Sequence, residues 1–222
     1  MTEDYIKFPQ RKIKKSYRSV IGHFPSVKNG KSIIYESLLE RACYLSLEFD
    51  DNVLTYYEQP QIEIDFRNRH STYSLDCYIQ KDKKTGLKDT LVEVKYSNEL
   101  EKNKEYFEEK FEATKAFAEE NSLNFDLFTE LSYSKAYLEN LDFLYRYKEN
   151  PIEYKYKNEI LDIFKDNLNL SAFDLVQKIT SNPKEYATVS NNIWSLVSNG
   201  KLKSNLFDDE LTMESLVELN NG

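Results

Sequence analysis

The sequence predicts an α/β protein, a mixed sheet flanked by helices, followed by a small domain of three helices and a β-hairpin. Three observations carry this. Leu38, Ala42, Leu45 and Phe49 recur at steps of four, three and four, the spacing of an amphipathic helix. Short alternating or apolar runs between 53 and 96 read as strands. A long helical stretch from about 98 to 121, a short apolar run and another helix then complete a helix, strands, helix, strand, helix order, which is that of layers around one sheet.

The chain has 222 residues, 40% hydrophobic and 31% charged, enough for one or two globular domains with a real core. Net charge is −8, so contacts to a polyanion have to come from local patches. Residues 1–34 supply one, with eight Lys/Arg against two acids and Tyr5, Phe8, Tyr17 and Phe24 interleaved. Lys12, Lys14, Lys15 and Arg18 of this arm are the candidates for DNA-backbone contact. The alternative is a solvated arm whose aromatics pack on the domain surface. Cys43 and Cys77 fall inside predicted elements and read as small core residues in a reducing compartment. With His23 and His70 they offer no zinc-site spacing. No apolar run suits a membrane span and the first residues lack a signal-peptide core, so a cytoplasmic protein is expected.

The elements follow in order. The first helix covers 36–49, and Ser37-x-x-Glu40 at its start fits a capping box. Glu40 either closes that cap or aims a third carboxylate at a site. Residues 53–58 read as a strand, Gln59-Pro60 as a break, 62–66 as a strand and 67–70 as a turn. Residues 73–79 and 90–96 read as a strand pair joined by a long polar connection containing Gly86. A strand at 124–129 and a helix from 134 to about 147 end ahead of Asn150-Pro151.

The chemistry sits on the strand pair. In Thr90-Leu91-Val92-Glu93-Val94-Lys95-Tyr96, Glu93 and Lys95 share one face of an apolar strand. Charges in such a place must be paired, solvated at a cleft or bound to something. One reading is an exposed ion pair on an edge strand. The other comes from Asp76 in the preceding strand, which antiparallel pairing brings near Glu93. Two converging, half-buried carboxylates repel unless one is protonated or a divalent cation sits between them. A hard cation such as Mg²⁺ takes one or two carboxylates, waters and phosphate oxygens. A lysine alongside can orient or deprotonate water or stabilise phosphate charge. Asp…Glu-x-Lys on paired strands therefore reads as a metal-dependent nuclease core.

From 151 on, seven Lys/Arg face eleven acids. Helices are expected at 158–167, after the N-cap Ser171, and at 187–198, stopping at Asn199-Gly200. Strands at 201–203 and 211–213 complete a winged-helix pattern. Its candidate recognition helix offers Ser190, Asn191, Asn192 and Ser195 but no basic residue, which favours protein docking over DNA readout.

Residues 39–49, then Asp51-Asn52-Val53-Leu54, then Glu58-Gln59-Pro60, resemble the N-terminal region of the TnsA family. Phe128-Thr129-Glu130, residues 137–141 and Leu144-Tyr145 are similar to the end of the same domain. These are endonuclease subunits of heteromeric transposases with a restriction-endonuclease-like PD-(D/E)XK fold, and the resemblance covers roughly residues 20–150. It implies an endonuclease domain at 35–150 between the arm at 1–34 and a winged-helix domain at 151–222. It maps the family's helix glutamate onto Glu40, its strand aspartate onto Asp76 and its (Glu/Gln)-x-Lys onto Glu93 and Lys95. Cys77 and Leu75 depart from the residues usual beside the aspartate. The resemblance implies that Glu40, Asp76, Glu93 and the Val94 carbonyl hold Mg²⁺, with Mn²⁺ as substitute, while Lys95 positions water or stabilises charge. Gln59 either helps shape the site or is a turn residue before Pro60. The implied partners are DNA, a DDE-type transposase subunit that handles the 3′ ends while this subunit cuts the 5′ ends, and an AAA+ regulator. A stand-alone PD-(D/E)XK nuclease of phage or defence origin, and a non-catalytic docking module of the same fold, are the other readings.

Overall fold

The structure, a computed structural model, describes residues 5–8 and 20–220. The chain forms two compact units, Met1–Ser132 and Tyr133–Gly222. Lys12, Lys14, Lys15 and Arg18 lie outside the described residues.

The first unit opens with an antiparallel hairpin, β1 (Gly22–Ser26) and β2 (Lys31–Tyr35). Residues 20–34, expected to belong to a separate arm, are part of this unit, because Phe24 and Ile33 are buried in its core. Helix α1 (Leu38–Glu48) follows, with Ser37 as N-cap accepting the Glu40 N–H. Strand β3 (Val53–Glu58) leads into a hairpin of β4 (Gln61–Phe66) and β5 (Arg69–Ser74). The hairpin turns on Arg67 and Asn68 alone, at φ 51° and 61°. Two consecutive left-handed residues give the type I′ turn that matches strand twist, so Arg69 and His70, expected in the turn, extend β5. Strands β6 (Cys77–Lys81), β7 (Thr90–Val94) and β8 (Asn124–Phe128) complete a four-stranded sheet ordered β3-β6-β7-β8. The predicted strand at 73–79 is thus two strands, interrupted at Leu75 and Asp76.

The sheet is mixed: β3, β6 and β7 run antiparallel, and β8 lies parallel to β7. Parallel pairing needs a crossover, and α2 (Ser97–Lys102) and α3 (Lys104–Glu120) provide it. One long helix is expected here; the structure breaks it at Asn103. All five residues of β7 are buried, which fits a central strand. The first helix packs on β1, β2, β3 and β7, and α3 on β4 and β8. Cys43 and Cys77 are buried free thiols, as expected of core residues. Glu48, read as an ordinary helix residue, is 1% exposed and fully bonded. It accepts from Ser26 Oγ at 2.5 Å, Tyr56 Oη at 2.8 Å and the Lys28 N–H at 3.1 Å, tying the hairpin, α1 and β3 together.

The second unit contains α4 (Lys135–Tyr145), α5 (Tyr154–Ile163), α6 (Ala172–Ile179) and α7 (Pro183–Ser198). Its three-stranded sheet is ordered β10-β11-β9, from β9 (Asn169–Ser171), β10 (Leu202–Lys203) and β11 (Leu216–Leu219). The partner of 201–203 is therefore β11 rather than the expected 211–213. The segment before β11 is held elsewhere, by Asn140. That side chain is 1% exposed, donates to the Leu206 and Asp209 carbonyls at 2.9 and 2.8 Å, and accepts the Leu211 N–H at 2.7 Å. Helix α4, read from sequence as the end of the domain closing at 150, sits with this unit for that reason. Phe143 also packs edge-on against Trp194, with centroids 5.3 Å apart. Asn182 caps α7, Pro183 takes its first turn so the helix starts before the expected 187, and Gly200 ends it at φ 66°.

Asn140→Ala is expected to destabilise the second unit by about 2–4 kcal/mol, because it strands three backbone groups at once. Chemical denaturation followed by Trp194 fluorescence, the chain's one tryptophan, measures it.

Candidate active site

Strand pairing builds the site. Cys77 pairs with Val92, and the Asp76 N–H donates to the Val92 carbonyl, so the next register step sets Asp76 beside Glu93. Asp76 Oδ2 accepts the Val94 N–H at 2.7 Å. Lys95 Nζ donates to Glu93 Oε1 at 2.8 Å and to the Val94 carbonyl at 3.1 Å, and stands 3.4 Å from Asp76 Oδ2. The Lys95 N–H is fixed on the Phe128 carbonyl at 3.0 Å, an extension of the parallel β7–β8 pairing. Asp76, Glu93, Val94 and Lys95 are thereby brought together, and the exposed edge-pair reading does not hold: Glu93 is 3% exposed on a central strand.

Glu40 closes the cap and also lines a cleft. Its Oε1 accepts from Ser37 Oγ at 3.0 Å and its Oε2 accepts the Glu36 N–H at 2.8 Å, which completes the cap. It also lies in a cleft of about 380 Å³ whose lining includes Glu36, Val94, Lys95, Tyr96 and Glu99. Burial, then the charge of Asp76 and that of Glu36, push its pKa up to about 7 against the two hydrogen bonds. Asp76 is raised by burial and Glu36, offset by Lys95 and the Val94 N–H. Glu93 is raised by burial and Asp76, offset by Lys95. Burial opposes the Lys95 charge, but Asp76 and Glu93 outweigh it and hold the ammonium above the ordinary lysine value.

Two residues were not singled out in the sequence. Glu36 lines the cleft and accepts from Gln59 Nε2 at 2.7 Å. Its place four residues before Glu40 is the signal that could have marked it. Tyr73 is buried facing Glu93, whose charge, after burial, raises the phenol pKa, although no hydrogen bond of good geometry joins them. Nothing local in the sequence distinguishes Tyr73 from a core tyrosine. Gln59 adopts φ 52°, and its N–H donates to the Asp76 carbonyl at 3.1 Å. A left-handed long side chain costs about 1–3 kcal/mol.

The donor set fits a hard divalent cation. Glu93 Oε2 is buried with no hydrogen-bond partner, Asp76 and Glu93 both face Lys95, and the charges of Glu36 and Glu40 act on Asp76 from the start of α1. Among the described residues no three acidic, histidine or cysteine side chains already converge as a metal cage. The Lys95 ammonium bridges Asp76 and Glu93, and both Glu40 oxygens are engaged in the cap. The set therefore suits a cation held by two carboxylates and the Val94 carbonyl, with water or phosphate completing it.

These charges predict a pH effect. An acid whose pKa rises on folding favours the fold below its unfolded value and loses that contribution as pH climbs through its folded value. Chelator-treated protein is therefore expected to lose on the order of 3 kcal/mol from Glu40 between about pH 4.5 and just above 7. Denaturant melts across pH check this, and Glu40→Gln is expected to flatten the profile.

In the second unit, Asn192 and Ser195 of the candidate recognition helix are buried at 3% and 1%. Asn192 accepts the Glu153 N–H and donates to the Thr188 carbonyl. Only Ser190 and Asn191 of that set keep exposed surface. Among the described residues no helix is long and apolar enough to cross a membrane.

Comparison with protein families matches residues 50–130 to the family described as TnsA-like endonuclease N terminal. The matched segment contains Asp76, Glu93 and Lys95 and begins after Glu40. No curated protein matches the chain.

Proposed function

We propose, from the match of residues 50–130 to the TnsA-like endonuclease N terminal family, that the protein is a Mg²⁺-dependent DNA endonuclease. We assign it the role of the transposase subunit that cuts at the transposon 5′ ends. The observation that carries the reading is the convergence of Asp76 and Glu93 on Lys95, with one buried, unpartnered Glu93 oxygen, where Lys95 also lines a cleft shared with Glu36 and Glu40.

Asp76, Glu93 and the Val94 carbonyl would hold the ion, joined by Glu40 through the lone pairs its cap leaves free. Bound there, Mg²⁺ supplies Lewis acidity toward the scissile phosphate. Lys95 keeps its proton and directs its N–H groups at the attacking water or a phosphate oxygen, where charge builds in the transition state. The water oxygen bonds to phosphorus and the bond from phosphorus to the 3′ oxygen breaks. The proton the water loses is balanced, by way of solvent, by the one the 3′ oxygen gains. The products are a 5′-phosphate and a 3′-hydroxyl.

The order α5-β9-α6-α7-β10-β11 supports a winged-helix reading of the second unit. Its buried Asn192 and Ser195 support docking of a protein, either the DDE-type partner or the AAA+ regulator, and Lys184 in the first turn is the one basic residue of α7. The test is nicking of supercoiled plasmid with Mg²⁺ or Mn²⁺, with and without a DDE-type partner. Open circles bearing 5′-phosphate ends, lost on chelation, are expected; plasmid left intact in every combination contradicts the reading.

A further inference from the structure

We infer that Gln59 is a positioning residue that clamps the start of α1 to the β5–β6 junction carrying Asp76, setting the spacing of carboxylates that come from separate elements. The inference rests on the metal-dependent reading of the site. Gln59 stands where the chain leaves β3 for the β4–β5 hairpin, and its backbone is left-handed at φ 52°. Glycine or asparagine meets that requirement with less strain. A turn alone therefore gives no reason for glutamine; its side chain does. The Gln59 N–H donates to the Asp76 carbonyl, and its Nε2 donates to Glu36 Oε1 at 2.7 Å. The Glu36 N–H in turn donates to Glu40 Oε2 at 2.8 Å. One residue thus links the Asp76 backbone to the segment that fixes Glu40. The bond to Glu36 is charge-assisted and lies at the cleft that Glu36 and Glu40 line. A strained backbone held at a functional site by bonds of this kind is how carboxylates on different elements keep a fixed spacing.

Mn²⁺ binding to the full chain, measured by calorimetry beside thermal melts without metal, tests it. Gln59→Gly keeps the turn and deletes the amide. It is expected to weaken Mn²⁺ binding about 10-fold, as loss of a supporting partner does, while the melting temperature holds or rises. Gln59→Glu alone sets two carboxylates against each other and is expected to weaken binding at least as much. Combining it with Glu36→Gln reverses the donor and acceptor and is expected to restore most of the affinity. Unchanged affinity in Gln59→Gly, or no recovery in the exchange, overturns the clamp while wild-type binding leaves the metal site standing. Absence of Mn²⁺ binding by the wild type overturns the metal reading and the clamp together.

Discussion

Asp76→Asn is expected to remove strand nicking, by about 10³-fold or more, without unfolding the protein. Asparagine keeps the shape and an oxygen for the Val94 N–H, which the aspartate accepts at 2.7 Å. It removes the charge that Lys95 stands beside and that a cation would require. The loss is therefore chemical rather than structural. Plasmid nicking by variant and wild type, with circular dichroism as the folding control, measures it. Nicking that survives in Asp76→Asn means that the reaction runs elsewhere.

Glu93→Gln is expected to act in opposite directions on stability and activity. Glu93 is buried on a central strand, and one of its oxygens has no partner. Burial and Asp76 disfavour its charge, and Lys95 only partly offsets them. Replacing it by a neutral isostere relieves that repulsion and leaves Lys95 paired with Asp76. Without metal the variant is expected to be about 1–2 kcal/mol more stable, with cleavage lost. Divalent cations are expected to raise the melting temperature of the wild type and to leave that of Glu93→Gln unchanged. A Glu93→Gln protein that melts lower than wild type without metal would show that the Lys95–Glu93 pair is a net stabiliser.

Much of this was legible in the sequence, for identifiable reasons. The α1 helix, the central strand with Glu93 and Lys95, and the antiparallel approach of Asp76 follow from period and from strand pairing, which are local or nearly local. The cap at Glu40 was legible from Ser37-x-x-Glu40, and it leaves the carboxylate lining a cleft. What the sequence hid depends on contacts distant along the chain. The β1–β2 hairpin has no period-2 pattern strong enough to separate it from a basic arm. The burial of Glu48 is explained only by Ser26 and Tyr56, far from it in sequence. The reach of Asn140 to residues 206–211 fixes both the end of the first unit and the strand paired with β10. Glu36 and Tyr73 carry no motif; their relevance comes from what they face.

Anomalous diffraction from crystals of the full chain grown with Mn²⁺ tests the central claim most directly. A peak is expected between Asp76, Glu93 and the Val94 carbonyl, with Lys95 displaced from its bridge between the two carboxylates. A cleft in which Lys95 keeps that bridge and no peak appears, at Mn²⁺ concentrations that support nicking, would contradict it.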